Sequence, residues 1–230
     1  MAVYVDDLII IATTTEEMNQ IKSYLSKHFR MKDLGSLHFF LGVSIEQNED
    51  GMKLCQKQYI EKLLERYRLQ DANPVTTPMD LNVKLVANYG HSKSVDKVRY
   101  QSMIGSLLYI AIATRPDISQ AVGALSKFNS APMEAHLTAV KRLFCYLKGT
   151  INMSLQFKRM ENLEIIGFSD ADWASDMDNR HSTTGNIFQL AGSVRNRKQS
   201  LSQQQKQSIL LCVQLLRKHC GYDNFSPRIQ

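Results

Sequence analysis

Val3-Tyr4-Val5-Asp6-Asp7-Leu8-Ile9-Ile10-Ile11-Ala12 is the stretch whose reading decides the fold. Two short apolar, β-branched runs flank a two-residue acidic step, and that alternation reads as a β-hairpin. Aspartate is a common turn residue, so the plainer reading of Asp6-Asp7 is a solvated turn. Two adjacent carboxylates at the tip of an otherwise apolar hairpin are also candidate catalytic residues.

Working outward, Thr13 and Thr14 each have a Glu three residues later (Glu16, Glu17), which predicts a capped helix start. Met18, Ile21, Leu25 and Phe29 then recur at helical spacing and predict one buried stripe, closed by Gly35. Leu37 to Glu46 and Met52 to Leu54 read as two strands joined by a turn at Asn48-Glu49-Asp50-Gly51. Ile60, Leu63, Leu64 and Tyr67 place an apolar side on a helix from Tyr59 to Tyr67. Ala72 to Gly90, with Pro74 and Pro78, has little periodicity and reads as a linker. Three helices follow, Met103–Ala113, Ile118–Asn129 and Ala135–Leu147, punctuated by Thr114-Arg115-Pro116-Asp117 and Ser130-Ala131-Pro132. Strand-like patterns return at Ser154–Phe157, Leu163–Ser169 and Asn186–Leu190.

The 230 residues carry 28 Lys and Arg against 22 Asp and Glu, a net charge of +6, with 43% hydrophobic and 22% charged residues. That composition excludes a disordered tail, a collagen-like fibre and a disulfide-dense miniprotein. Cys55, Cys145, Cys212 and Cys220 show no metal-ligand spacing and read as buried or incidental thiols of a reducing, intracellular compartment. No run approaches 18 apolar residues, so neither a signal peptide nor a membrane span is expected. The basicity is local. Arg180 to Tyr222 has no acidic residue and sums to +7, leaving −1 for everything else.

Tyr4-Val5-Asp6-Asp7 resembles the catalytic signature of reverse transcriptases. Leu8 to Ala12, Met31-Lys32-Asp33-Leu34-Gly35, Phe40-Leu41-Gly42-Val43 and Gln58-Tyr59-Ile60-Glu61-Lys62-Leu63-Leu64 resemble the palm of the Ty1/copia retrotransposon polymerase. So do Tyr100, Ile104-Gly105-Ser106-Leu107-Leu108-Tyr109, Thr114 to Ile118 and Ala139 to Thr150 in its connecting helices. Gly167-Phe168-Ser169-Asp170-Ala171-Asp172-Trp173-Ala174 is similar to the first strand of its RNase H domain, and the in-order match runs over residues 3 to 200. The resemblance implies an α+β fold in five parts. Residues 1–72 would be the C-terminal part of a reverse-transcriptase palm (a β-hairpin plus helices), 73–94 a linker and 95–150 a helical thumb or connection region. Residues 151–202 would begin a partial RNase H-like α/β domain, with 203–230 a frameshifted tail.

By the same resemblance, Asp6 and Asp7 are ancestral polymerase metal ligands and Asp170 the first RNase H carboxylate. Two Mg²⁺ ions would serve phosphoryl transfer on an RNA or DNA template-primer. No small-molecule cofactor is implied. Asp172 is a weaker candidate ligand, Asp176 and Asp178 fit an acidic loop, His181 fits the surface and Trp173 the core.

Two departures shape the functional expectation. The family's fingers, the first half of its palm and its third catalytic aspartate lie upstream of the position equivalent to Met1. The motif Thr-Glu-Ala-Glu-Tyr, which supplies the next RNase H glutamate, is replaced by Gln203-Gln204-Gln205-Lys206-Gln207-Ser208-Ile209. Codons for Gln204 to Ile209 can be written so that reading one base earlier restores Thr-Glu-Ala-Glu-Tyr. The expectation is therefore a frameshift, in the gene or the gene model, near Ser200 to Gln203, and a chain with neither polymerase nor RNase H activity. A different class of reading is a non-enzymatic nucleic-acid-binding module on the helical block, through Lys97, Arg99, Lys127, Lys141, Arg142 and Lys148. A third is a subunit complemented in trans by the missing polymerase half.

Overall fold

The computed structural model describes residues 1–80, 82–83, 85–87, 93–160, 165–171 and 184–197. Helices and small antiparallel sheets are mixed along the chain, the α+β class expected. The opening hairpin is β1 (Ala2–Tyr4) and β2 (Asp7–Ile9), paired Ala2 with Ile9 and Tyr4 with Asp7. Its two-residue turn is Val5-Asp6 rather than Asp6-Asp7, because the backbone reverses at Val5, whose φ is 49°. Asp6 sits on the turn and Asp7 opens β2.

Helix α1 (Thr15–His28) starts as expected. Thr14 caps it by accepting the Glu17 N–H at 3.2 Å, and the Glu17 carboxylate accepts the Thr13 N–H at 3.0 Å. The predicted buried stripe does not form. No residue of α1 is buried, Met18, Ile21 and Leu25 are only half-covered, and Phe29 is 61% exposed. The helical spacing is real, but the face it marks is only partly covered.

The expected strand from Leu37 to Glu46 is two strands. β3 (Phe39–Phe40) and β4 (Val43–Asn48) pair with each other across a turn at Leu41-Gly42, where both φ values are positive (49° and 78°). That is the I′ hairpin geometry, for which Gly42 removes one of two steric penalties. β4 turns through Glu49-Asp50 into β5 (Gly51–Cys55), and β6 (Leu155–Lys158) pairs with β5, giving the sheet order β3-β4-β5-β6. Gly51 stands opposite Lys158, and a Cβ there would lie 2.0 Å from the Phe157 carbonyl oxygen, so only glycine admits β6 to this edge. One face of the sheet carries Ile45, Met52, Leu54, Leu155 and Phe157 into a small core.

The larger core is helical. It is built by α2 (Lys57–Arg66), α3 (Lys97–Ala113), a 3₁₀ turn at Pro116–Ile118, α4 (Ser119–Ser126) and α5 (Glu134–Gly149). Leu107, Ile110, Val122, Leu125, Leu143, Phe144 and Leu147 are fully buried in it. The helix expected over Ile118–Asn129 is shorter because the 3₁₀ turn takes its start and α4 ends at Ser126. The segment read as a linker runs antiparallel along α5. Lys148 Nζ donates to the Ala72 carbonyl, Arg142 to Thr77 Oγ1, and His136 Nε2 to the Val86 carbonyl. The strap is held by side chain-to-chain hydrogen bonds as well as by apolar packing, which is why it shows no hydrophobic period.

Past β6 come β7 (Ile165–Ala171), β8 (Thr184–Leu190) and β9 (Ser193–Arg197), an antiparallel sheet in that order. β9 goes beyond the predicted strands. The Ala191-Gly192 turn docks this sheet on the first, the Ala191 carbonyl accepting the Lys158 N–H at 2.9 Å. Asp172, Trp173, Asp176, Asp178, His181, the acid-free stretch after Arg197 and the 203–230 tail lie outside the described residues.

Arg115 is the one cation fully buried among the described residues, 2% exposed. It forks onto the Asp117 carboxylate at 2.7 and 2.9 Å and donates to the Thr150 carbonyl and hydroxyl at 3.0 and 2.7 Å. The Tyr146 hydroxyl donates to the same carboxylate at 2.8 Å. Burial alone would raise the Asp117 pKa, but the hydrogen bonds and charge of Arg115, with the Tyr146 hydroxyl, hold it below the ordinary value. A depressed carboxylate contributes stability above its unfolded pKa of about 3.9, and that contribution is lost as pH falls through the lower folded value. Asp117→Asn should therefore cost about 3 kcal/mol at neutral pH in a urea titration, the low end for a broken buried pair because Asp117 keeps 31% exposure. The wild-type advantage over the variant should shrink as pH is lowered below about 4.

Candidate functional site

The hairpin tip is open to solvent. Tyr4 is 49% and Val5 81% exposed, and Asp6 and Asp7 are both exposed. Its base is anchored, with Ile9 and Ala12 buried and Ile11 packed on the small core. The hairpin pairs with no other strand among the described residues. A positive φ at only the first turn residue is the II′ pattern, which ordinarily takes glycine there. Val5 is β-branched, so its φ of 49° is a strained conformation. Strain of this kind persists where surrounding structure imposes it, and it is common where a turn must present side chains for chemistry.

Two tyrosines connect α2 and α3 to the β3–β4 turn. The Tyr109 hydroxyl, from α3, donates to the Leu41 carbonyl in the β3–β4 turn. Tyr59, from α2, meets the Tyr109 ring edge-on at 5.3 Å, and its ring lies 3.6 Å from where a Cβ on Gly42 would be. Burial raises the Tyr109 pKa, and the neighbouring phenols of Tyr59 and Tyr4 add to it. The Phe40-Leu41-Gly42-Val43 turn thus rests on an aromatic support from α2 and α3, which motif reading alone does not reveal.

The first-sequence candidates are not gathered together. Asp6 and Asp7 are adjacent at the tip. Asp170 lies in β7, paired with Gly185, in the other sheet. Among the described residues, no group of three His, Cys, Asp or Glu side chains could hold a metal. Two exposed carboxylates do not by themselves fit a two-metal centre, which needs further ligands to fix both ions. Cys55 and Cys145 are half-buried and unpaired by disulfide. No described helix is long and apolar enough to cross a membrane. Sequence reading passed over the Arg115–Asp117–Tyr146–Thr150 network; the available signal was a charged pair flanking Pro116 inside an apolar helical block.

With the geometry in hand, the comparisons with known proteins bear on this hairpin. Residues 1–81 match the family described as reverse transcriptase (RNA-dependent DNA polymerase). The retrovirus-related Pol polyprotein from transposon RE1 of Arabidopsis thaliana is 43% identical over 190 residues, which is 83% of this chain. The chain belongs to the reverse-transcriptase family of copia-type retrotransposon Pol polyproteins. A second Pol polyprotein, from transposon TNT 1-94 of Nicotiana tabacum, is 39% identical over 84% of the chain. The chain spans only 13% and 15% of those two polyproteins. A mitochondrial protein of Arabidopsis thaliana is 36% identical over 80% of this chain and 76% of its own length. No solved structure matches. The match to the Pol polyproteins extends well past residue 81, so it takes in helical elements as well as the hairpin.

Val5 gives a direct test of the strained turn. Val5→Gly should remove about 1 kcal/mol of backbone strain, read as slower amide exchange at Leu8 and Ile9. Val5→Pro, with φ locked near −65°, should abolish that protection.

Proposed function

We propose that this copia-type Pol fragment carries the ancestral parts of a two-metal phosphoryl-transfer enzyme without completing either active site. Residues 1–72 are read as the C-terminal part of the palm, 95–150 as the helical thumb or connection, and 203–230 as a frameshifted tail. The carrying observation is the Tyr4-Val5-Asp6-Asp7 hairpin: a strained turn presents two carboxylates, and no third ligand joins them among the described residues. Asp6 and Asp7 are the ancestral polymerase metal ligands in this reading. Mg²⁺, where a full carboxylate set holds it, supplies charge neutralisation for the attacking and leaving oxygens. The described residues do not supply that set.

The RNase H assignment rests on Asp170 in the first strand of an antiparallel three-stranded sheet. Residues 151–202 are read as the start of the RNase H-like portion, whose first strand, β6, pairs with β5. A template-primer partner follows from the family. The alternative of a binding module on the helical block loses support, since Lys148 and Arg142, two of its six cations, are spent on holding the 72–77 strap.

Purified protein with Mg²⁺ should neither extend a DNA primer on an RNA template nor cleave an RNA–DNA hybrid. Extension that disappears in Asp6→Asn, or cleavage that disappears in Asp170→Asn, overturns the proposal. Residual signal untouched by both substitutions belongs to a contaminant and leaves it standing.

A further inference from the structure

The sheet β7-β8-β9 turns one face toward the first sheet and leaves the other open. Leu190 packs on the small core and the Ala191 carbonyl accepts the Lys158 N–H, so the face that carries Leu190 is the inner one. Gly167 and Phe188, partners across β7 and β8, share that inner face, where a Cβ on Gly167 would lie 3.2 Å from the Phe188 ring. Alternation then puts Ile166, Phe168 and Ile187 on the outer face, with Phe168 directly opposite Ile187. These three are 38%, 55% and 40% exposed.

An apolar sheet face is stabilised by a second layer laid over it. The chain that remains after β9 is placed to provide one. Arg197, the last residue of β9, pairs with Asn186, and Asn186 pairs with Ser169, so the chain leaves the sheet beside the Phe168–Ile187 pair. Eight of the eleven residues from Lys198 to Ser208 are Gln or Ser, the composition of a polar tether. Fully extended it reaches roughly 36 Å, and crossing from β9 to β7 takes only about 10 Å. After it, Ile209, Leu210, Leu211, Val213, Leu215 and Leu216 fall within eight residues. The β7–β8 connection is a poorer cover, because its residues 172–183 set Trp173 and Met177 among Asp172, Asp176, Asp178 and Arg180. A second copy is poorer still. Three half-exposed side chains of this size offer about 300 Å², half of the roughly 600 Å² each partner gives to the smallest stable interfaces. A tethered segment needs less area, since it meets the face at an effective concentration of about a millimolar.

We propose that residues 209–216 dock across the outer face of the β7-β8-β9 sheet and bury Ile166, Phe168 and Ile187. The occupant is particular to this chain, because it follows the stretch in which the family's Thr-Glu-Ala-Glu-Tyr motif is replaced. Docked, it shields an apolar patch that otherwise promotes association. The inference goes beyond the catalytic reading: it uses neither Asp6 nor Asp7 and requires no metal.

The test is hydrogen exchange read by mass spectrometry on the full chain. Amides of residues 209–216 should exchange well below the rate of an unprotected peptide. Phe168→Gln and Ile187→Gln should each cut that protection roughly tenfold, the effect of withdrawing about half of a large apolar side chain from burial. Leu211→Asp combined with Leu215→Asp, which leaves the sheet itself untouched, should abolish the protection and raise binding of the dye ANS, a reporter of exposed apolar surface. Phe168 and Ile187 belong to neither core, so the β4 and β5 amides should keep their protection in every variant. Unprotected exchange over 209–216 overturns the proposal, as does protection indifferent to both sheet substitutions. So does protection that rises with protein concentration, which would place a second copy on the face. A Trp173→Ala variant that raises ANS binding while the tail substitutions leave it unchanged also overturns it, assigning the cover to residues 172–183. None of these readouts involves primer extension or hybrid cleavage, so failure here and failure of the catalytic reading are told apart.

Discussion

The architecture depends on a buried guanidinium. Arg115 follows α3 just before Pro116, and four of its five donors are answered by the Asp117 carboxylate and by the Thr150 carbonyl and hydroxyl, with the Tyr146 ring 5.4 Å beneath. Thr150 is where the chain leaves α5. Holding that residue against the start of the 3₁₀ turn sets the direction in which the chain departs, and five residues later it becomes β6. A desolvated cation with unanswered donors is costly, so the arrangement tolerates little variation. It closes the sheet with a strand drawn from beyond the helical core.

β6 in turn meets a constraint at the far edge. Its partner β5 begins at Gly51, where the Phe157 carbonyl lies so close that any side chain would collide. The strand pairing places Leu155 and Phe157 beside Leu54 and Met52, and the small core forms on that face. Ile11 packs on the same core, so the acidic hairpin is tethered to a sheet assembled from both sides of the helical block. Tyr109 and Tyr59 tie that sheet to the helical block through the Leu41-Gly42 turn. The tip itself stays open, and its two carboxylates are presented without being enclosed.

Much of the fold was legible because local signals agreed with it. The capping residues of α1, the apolar side of α2 and the helical pattern of α5 occupy the expected places, while α3 ends at Ala113 as expected but starts at Lys97, six residues before Met103. Where reading by pattern went astray, a backbone angle or a missing neighbour was responsible. The strand over Leu37–Glu46 breaks at Leu41-Gly42 because two residues adopt positive φ, which alternation does not register. The hairpin turn moves to Val5-Asp6 for the same reason. The α1 stripe was read as buried because periodicity reports that a helix has an apolar side, not that anything covers it.

Taken alone, the amino-acid order determined the family and the α+β class, and its motifs singled out Asp6, Asp7 and Asp170 as candidates. Those are properties of motifs and local periods, which survive without knowledge of contacts. Tertiary structure alone decided that β6 returns to β5, that the apparent linker is a strap along α5, and that Arg115 is buried rather than solvated. It also decided that Asp170 stands in a different sheet from the acidic pair. Each of these joins residues tens of positions apart, and no local pattern encodes a partner that only folding brings within reach.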